Sequence, residues 1–394
     1  MKKELETTDK LPDAPKRKDT WNDKIALKAV SQARQDIASW KGAERSAQAV
    51  DNPRRSRLQQ LFTEIRRDAL LTSQYENRKN QVVGASFTLK NANGDTEEEL
   101  TEALRSAIWY PYLVGAMWDS IFMGPTLVEF YNPGDGLKLR VINRRNIEPR
   151  DGILLYDEND TAGIKYRDAR EYGWWVLEFG NPDELGLINK AVPHVLFKRF
   201  AQSCWSELAE IYGIPPRSLK TNTQDPVMLS RAEQMMRDMG AAAWFIIDDT
   251  EDLTFADGIN TNGDVFKNLI QLCNNEISML FSGAIIGQDT VNGNRSKEET
   301  SVKSLHQLID SDKVTLEGFW ASTVMPALVK LGILPEGLTY FFEPEEDLTD
   351  LWNKTKETFQ YFDVDPEWVR SKFGIEITGV KKQLPFGNNQ NGFF

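Results

Sequence analysis

Between residues 126 and 180 the apolar residues stop recurring at helical spacing and follow a strand-like pattern instead. This change of period restricts the chain to a mainly helical α+β body interrupted by a small sheet-rich module. The candidate strands are TLVEFY, LKLRVI, GILLY, IKYR and WWVLEF, separated by turn formers such as Asn132-Pro133-Gly134. On the amino-terminal side, Leu58, Leu61, Phe62, Ile65 and Leu70 predict a helix over 57–80 after the breaker Asn52-Pro53. QVVGASFTLK (81–90) reads as a strand. Asp95-Thr96 and the acidic run Glu97–Glu99 then open a helix over 96–122 with a break at Pro111.

Beyond Asn181-Pro182 the helical period returns. A helix over 183–212, with Pro193 as a kink, is stopped by Gly213-Ile214-Pro215-Pro216. Asp225 caps a second helix with Pro226 at its first position, running to about Met239. AAAWFIID and DLTFAD read as two strands joined by a tight acidic turn, followed by a helix from Asp264 to Phe281. The Gly/Asn/Ser-rich segment 282–300 leads into a long helix through Val302, Leu305, Ile309, Leu316, Trp320 and Val324. A strand (LTYFF), an acidic helix over 347–361, a short helix opened by Asp365-Pro366 and a polar tail complete the chain. The first 25 or so residues hold little to bury and read as an exposed arm.

The 11 Trp and 20 Phe supply ample material for a core. No apolar run of about 18 residues occurs, and the amino terminus lacks the apolar stretch of a signal peptide, so the protein is expected to stay where it is made. Cys204 and Cys273 have no CxxC neighbour and read as reduced core residues. The net charge of -12 is unevenly spread: residues 1–60 carry 14 Lys and Arg against 9 Asp and Glu, which leaves -17 on residues 61–394. Such a body does not suit tight clamping of phosphates, but it does suit a conduit in which nucleic acid must slide.

Catalytic motifs are missing from the sequence. There is no GxxxxGK[ST] to cradle a nucleotide, no HExxH beside His194 or His306, and no GxSxG. Asp248, Asp249, Glu251, Asp252 and Asp257 have the acidity of a two-metal nuclease site and equally the composition of a solvated turn. Asp157-Glu158-Asn159-Asp160 starts like a calcium loop but lacks its Gly, and reads as a turn. Arg295 and Lys297, or Arg217 and Lys220, could touch a DNA backbone, whereas Arg144 and Arg145 read as a surface turn. No cofactor or metal is expected.

Three ordered stretches resemble the Mu-like family of bacteriophage portal (head–tail connector) proteins. HVLFKRFAQSCWSELAEIYGIPPRSL (194–219) is similar to that family's aromatic-rich helix ending in Tyr/Phe-Gly-x-Pro. MMRDMGAAAWFIIDDTEDLTFADG (235–258) is similar to its small-residue run before a strand and acidic turn, with Asp248 where the family usually has Pro. LIQLCNNEISMLFSGAIIGQD (269–289) is similar to its Asn-x-Glu-Ile-Ser helix and Gly-Gln step.

The resemblance implies the portal fold of wing, stem, clip and tunnel/crown regions. Laid onto this chain, it gives a flexible arm over 1–56, a wing over 57–182 and stem helices over 183–240 with the clip tip at about 213–225. A wing return over 241–282, a tunnel loop and helix over 283–331, and a reduced crown and tail over 332–394 follow. It further implies a structural, non-enzymatic ring, usually of twelve subunits, at one capsid vertex of the virion, assembled in the host cytoplasm. Double-stranded DNA would pass through it during packaging and ejection. The partners implied are terminase, major capsid protein, scaffold and head–tail adaptor proteins, with no membrane. Gly283, Gly287, Gln288, Asn292, Gly293, Asn294, Arg295 and Lys297 would form the channel loop. Ile214, Pro215, Pro216, Arg217 and Lys220 would face the terminase. Two other readings stand beside this one: a metal-dependent nuclease using the 248–257 carboxylates, and a head-morphogenesis adaptor that forms no channel.

Overall fold

The computed structural model describes residues 37–213, 217–238, 244–248, 263–285, 295–344, 348–359, 361 and 364–375. The chain divides into two compact units, Met1–Phe342 and Glu343–Phe394.

The first unit begins with helices α1 (Ile37–Ala47), α2 (Ser56–Ile65) and α3 (Ala69–Val83). The single helix expected over 57–80 is thus two. Asp68 breaks it by leaving the helical conformation and accepting the Leu71 backbone N–H at 3.1 Å as the cap of α3. The other Asp68 oxygen pairs with Lys198 Nζ at 2.8 Å, both groups buried. α3 also absorbs residues 81–83 of the expected strand, burying Val82, so that β1 is only Phe87–Lys90. The helix expected over 96–122 divides into α4 (Glu98–Arg105) and α5 (Tyr110–Met123), with Pro111 in the first turn of α5, where a missing N–H costs nothing.

The sheet module contains two three-stranded antiparallel sheets. β2 (Thr126–Tyr131) lies between β3 (Lys138–Val141) and β7 (Val176–Phe179). β4 (Ile147–Glu148), β5 (Ile153–Leu155) and β6 (Gly163–Lys165) form the other. β2 is buried on both faces because each face serves a different core. Val128 and Phe130 join the helical core, while Leu127 joins Ile142, Ile147, Leu154, Tyr166 and Val176 in a small core of its own.

α6 (Ile188–Gly213) leads into β8 (Arg217–Thr221), α7 (Pro226–Asp238) and β9 (Trp244–Asp248), and the chain returns along α8 (Asp264–Ser282). β9 does form, but it pairs in parallel with β8, Arg217 opposite Trp244 through Thr221 opposite Asp248. DLTFAD, its expected hairpin partner, lies outside the described residues. The helix packed along α6 is α8, while α7 lies against β8 and β9.

α9 (Arg295–Phe319) continues through a wide π turn, Trp320–Val324, into α10 (Met325–Lys330). Pro326, which has no N–H to give to the preceding turn, accounts for the irregularity. Above this turn Trp320 stacks on Tyr340 of β10 (Thr339–Phe342) at 4.2 Å and 3°. Tyr340 stacks on Phe87 at 4.9 Å and Phe87 on Tyr110 at 4.7 Å. Because β10 pairs with β1, this stack fastens the far end of the long helix to the body of the first unit.

The second unit contains α11 (Leu348–Thr358) and α12 (Pro366–Phe373). Trp352 packs edge-on against Phe373 at 5.0 Å, and the Asp365 side chain caps α12 through the Glu367 N–H at 3.0 Å.

Candidate functional site

Two regions gather the residues singled out from the sequence: the corner between α8 and α9, and the insertion between α6 and α8. At the corner, Gly283 ends α8 in the left-handed conformation (φ 66°), its N–H reaching Met279 O at 3.1 Å. A Cβ there would also lie 3.2 Å from Leu308 Cδ1 of α9, so the close approach of the two helices calls for glycine. Gly287, Gln288, Asn292, Gly293 and Asn294 lie outside the described residues. Arg295 and Lys297 fall in the first turn of α9.

A lock the sequence did not announce holds this corner. Arg78 of α3 donates Nε and Nη2 to the two carboxylate oxygens of Asp312 in α9, at 2.7 and 2.8 Å, and Nη1 to Phe281 O at 2.9 Å. Its side chain is 8% exposed and that of Asp312 is 5% exposed. Trp118 Nε1 adds a bond to Asp312 Oδ2 at 2.8 Å, and Ser282 Oγ binds Gln74 Oε1. One guanidinium therefore satisfies a terminal carbonyl of α8 and fixes the middle of α9 together. Only residues at the ends of a long contact could form it: Arg78 and Asp312 are 234 positions apart.

In the insertion, Ile214, Pro215 and Pro216 lie outside the described residues, while Arg217 and Lys220 fall on β8, where Lys220 is exposed. Asp225 caps α7 as expected, accepting from Val227 N at 2.9 Å. Asp248 accepts from Thr223 N at 3.1 Å and Thr223 Oγ1 at 2.5 Å, so this carboxylate closes the turn after β8. Asp249, Glu251, Asp252 and Asp257 lie outside the described residues. Among the described residues no group of three His, Cys, Asp or Glu side chains is placed to hold a metal ion, and no helix is long and apolar enough to cross a membrane.

Residues 157–160 form a turn tied by their own side chains, Asn159 N reaching Asp157 Oδ1 at 2.9 Å and Asp157 N reaching Asp160 Oδ2 at 3.0 Å. Arg144 and Arg145 differ from the surface turn expected of them. Arg144 turns inward to Thr126 Oγ1 (2.9 Å) and Asp119 (3.5 Å), and Arg145 pairs with Glu158. Burial pushes the Arg144 pKa below its ordinary value, against the opposing pull of Asp119. Cys273 is buried and free, its thiol pushed up by burial despite Lys198 nearby; Cys204 is free and half-buried.

One buried carboxyl stands apart. Glu148 accepts the Arg55 backbone N–H at 3.0 Å, and burial raises its pKa to about 7 despite that bond and the charges of Arg54 and Arg55. Arg55 in turn donates to Glu184 O (2.8 Å) and Pro182 O, tying the start of α2 to the turn that leads into α6.

No curated protein matches the chain. A family model described as the portal protein of Mu bacteriophage matches residues 59–375, which span α2 through α12 and include both the corner and the insertion. With most of its length matched, the chain belongs to the family of Mu bacteriophage portal proteins.

Proposed function

We propose that this structural phage protein forms a ring at the capsid vertex whose central channel carries double-stranded DNA into and out of the head. The family implies the oligomeric ring and its virion location. Within it, α8, which packs along α6, replaces the helix over 226–239 as the second stem helix and so leaves the wing return expected over 241–282, and the clip widens from about 213–225 to the insertion from Ile214 through β8, α7 and β9, which meets the terminase and later the head–tail adaptor. The segment between α8 and α9 serves as the channel loop, with Gly283, Gly287, Gln288, Asn292, Gly293, Asn294, Arg295 and Lys297.

The observation that carries this reading is the family match over residues 59–375, and the Arg78 lock supports the loop assignment within it. A loop that must yield as DNA passes needs anchors that do not, and Arg78 binds the end of α8 and the middle of α9 in one buried group. Composition supports it: a chain of net charge -12, repeated around a ring, repels a duplex from the wall and leaves sparse cations such as Arg295 and Lys297 for transient contact. The test is complementation of a phage lacking this gene. The unaltered chain should restore DNA-filled heads, and a chain with Arg295→Glu and Lys297→Glu should assemble heads of normal number with fewer filled. Normal filling by a chain whose segment 286–294 is replaced by an unrelated folded insert would overturn the channel-loop assignment.

A further inference from the structure

We propose that a recessed cluster of cations in the first unit, formed by Arg66, Lys79 and Arg144 around Asp119, is a binding site for a phosphate dianion. The site is independent of the ring reading above.

Four separate segments bring these groups together. Arg66 closes α2, Tyr75 and Lys79 lie one turn apart on α3, Asp119 lies on α5, and Arg144 lies on the turn between β3 and β4. Lys79 Nζ donates to Asp119 Oδ1 at 2.9 Å and to the Tyr75 hydroxyl at 3.0 Å, and that hydroxyl donates to Asp119 Oδ1 in turn. The Arg66 guanidinium lies over the Tyr75 ring at 4.6 Å. Arg144 is held by the neutral Thr126 Oγ1, through Nε at 3.2 Å and Nη2 at 2.9 Å. Gly115 of α5 leaves room for the lysine stem, since a Cβ there would lie 3.1 Å from Lys79 Cε.

The charges of this cluster do not balance. Arg144 Nη2 stands 3.5 Å from Asp119 Oδ2, longer than a good N–H···O bond, and the other oxygen of that carboxylate is taken by Lys79 and Tyr75. One carboxylate thus faces three cations, a surplus of two positive charges. Glu76 offsets little of it, because its side chain is 46% exposed and its carboxylate is 3.8 Å from Arg66. Burial lowers the Arg144 pKa, and the neighbouring charge of Arg66 lowers it further. Cations short of counter-charge in a partly desolvated recess are costly, and an anion of matching charge removes that cost.

Charge, reach and free donors together select the ligand. Two surplus positive charges match a phosphate group, which carries about -1.5 to -2 at pH 7. Side-chain exposure rises from 15% at Arg144 through 21% at Lys79 to 36% at Arg66, so the recess is deepest at Arg144 and opens at Arg66, which favours a small anion over the flank of a duplex. Arg144 Nη1 and the Arg66 guanidinium make no hydrogen bond to a described residue, and planar guanidinium donors of this kind grip phosphate oxygens. Free phosphate and the terminal phosphate of a nucleotide share this chemistry.

The test is calorimetric titration of the full-length chain with inorganic phosphate at pH 7.5, against sodium chloride at equal ionic strength, with thermal unfolding in parallel. Phosphate should bind once per chain and raise Tm, and chloride should do neither. Arg144→Gln and Arg66→Gln should each weaken binding at least tenfold, while Arg57→Gln, at an exposed position in the first turn of α2, should leave it unchanged. Arg66→Gln also removes a repelled cation, so without phosphate it should unfold no earlier than the unaltered chain. Competition by adenosine 5′-monophosphate would extend the site to terminal phosphates, and its absence would restrict the site to the free ion. No phosphate response in the unaltered chain, or full binding retained by both variants, would overturn the site. An Arg66→Gln chain that unfolds earlier without phosphate would make the cluster a structural ion-pair network and overturn it as well.

Discussion

Removing the Asp312 carboxylate should loosen the corner between α8 and α9 more than any other single change there. In Asp312→Ala the Arg78 guanidinium, 8% exposed, keeps only its bond to Phe281 O and becomes a buried charge without a counter-ion. Breaking a buried pair in this way costs about 3–5 kcal/mol, and the orphaned Trp118 Nε1–H adds roughly 1 kcal/mol or more. Against a total stability of about 5–15 kcal/mol this is a large loss, corresponding to a fall in Tm on the order of 8 °C for a unit of this size. The opposite result is expected when both partners are replaced by apolar groups. Arg78→Met with Asp312→Leu should recover most of the loss, because neither charge is then left buried alone. Thermal denaturation followed by circular dichroism gives the cycle, and hydrogen exchange gives its location: protection should fall in residues 279–285 and 305–316 before it falls in the sheet module. A loss under about 1 kcal/mol in Asp312→Ala, or a double variant as weak as the single, would refute the claim that this pair holds the corner.

Glu148 offers a pH signature. Its pKa of about 7 in the folded chain exceeds the ordinary 4.5, so the folded state holds a proton the unfolded state has released between those values. Stability from this group is therefore fully present below pH 4.5 and is lost as pH rises toward 7, by about 3 kcal/mol. Glu148→Gln keeps an acceptor for the Arg55 N–H without the titration, so its advantage over the unaltered chain in urea unfolding should grow from pH 5 to pH 7.5; a constant difference would count against the assignment. Gly283→Ala must hold a side chain at φ 66° and 3.2 Å from Leu308, and should cost roughly 1–2 kcal/mol in the same assay, with no cost expected only if the corner can shift. Asp225→Ala removes the cap of α7 and should lose about 1 kcal/mol, while Asp225→Asn should lose far less; equal losses would show that charge and not capping matters.

The change of period at residue 126 was legible because strands and helices differ in a local repeat, and so were caps carried by one residue, such as Asp225 and Asp365. Breaks that preserve the apolar repeat were not. Leu58, Leu61, Phe62 and Ile65 belong to α2 and Leu71, Tyr75 and Val82 to α3, and nothing in their spacing marks Asp68 as a boundary. β-branched residues misled at 81–83, where burial of Val82 keeps the chain helical. Pairing was also beyond local pattern: β9 takes the polar strand RSLKT as its parallel partner. The Arg78–Asp312 lock and the inward turn of Arg144 depend on counter-charges distant in sequence, so each arginine taken alone looks like an ordinary surface cation.

On the proposed function, copies of this chain close into a ring around a passage for DNA. The measurement that tests it most directly is the mass and projected shape of the purified full-length protein, by light scattering with negative-stain electron microscopy. Closed rings of about a dozen subunits with a central hole wide enough for a duplex are expected. A monomer or dimer at every concentration, unchanged when capsid and scaffold proteins are added, would contradict it.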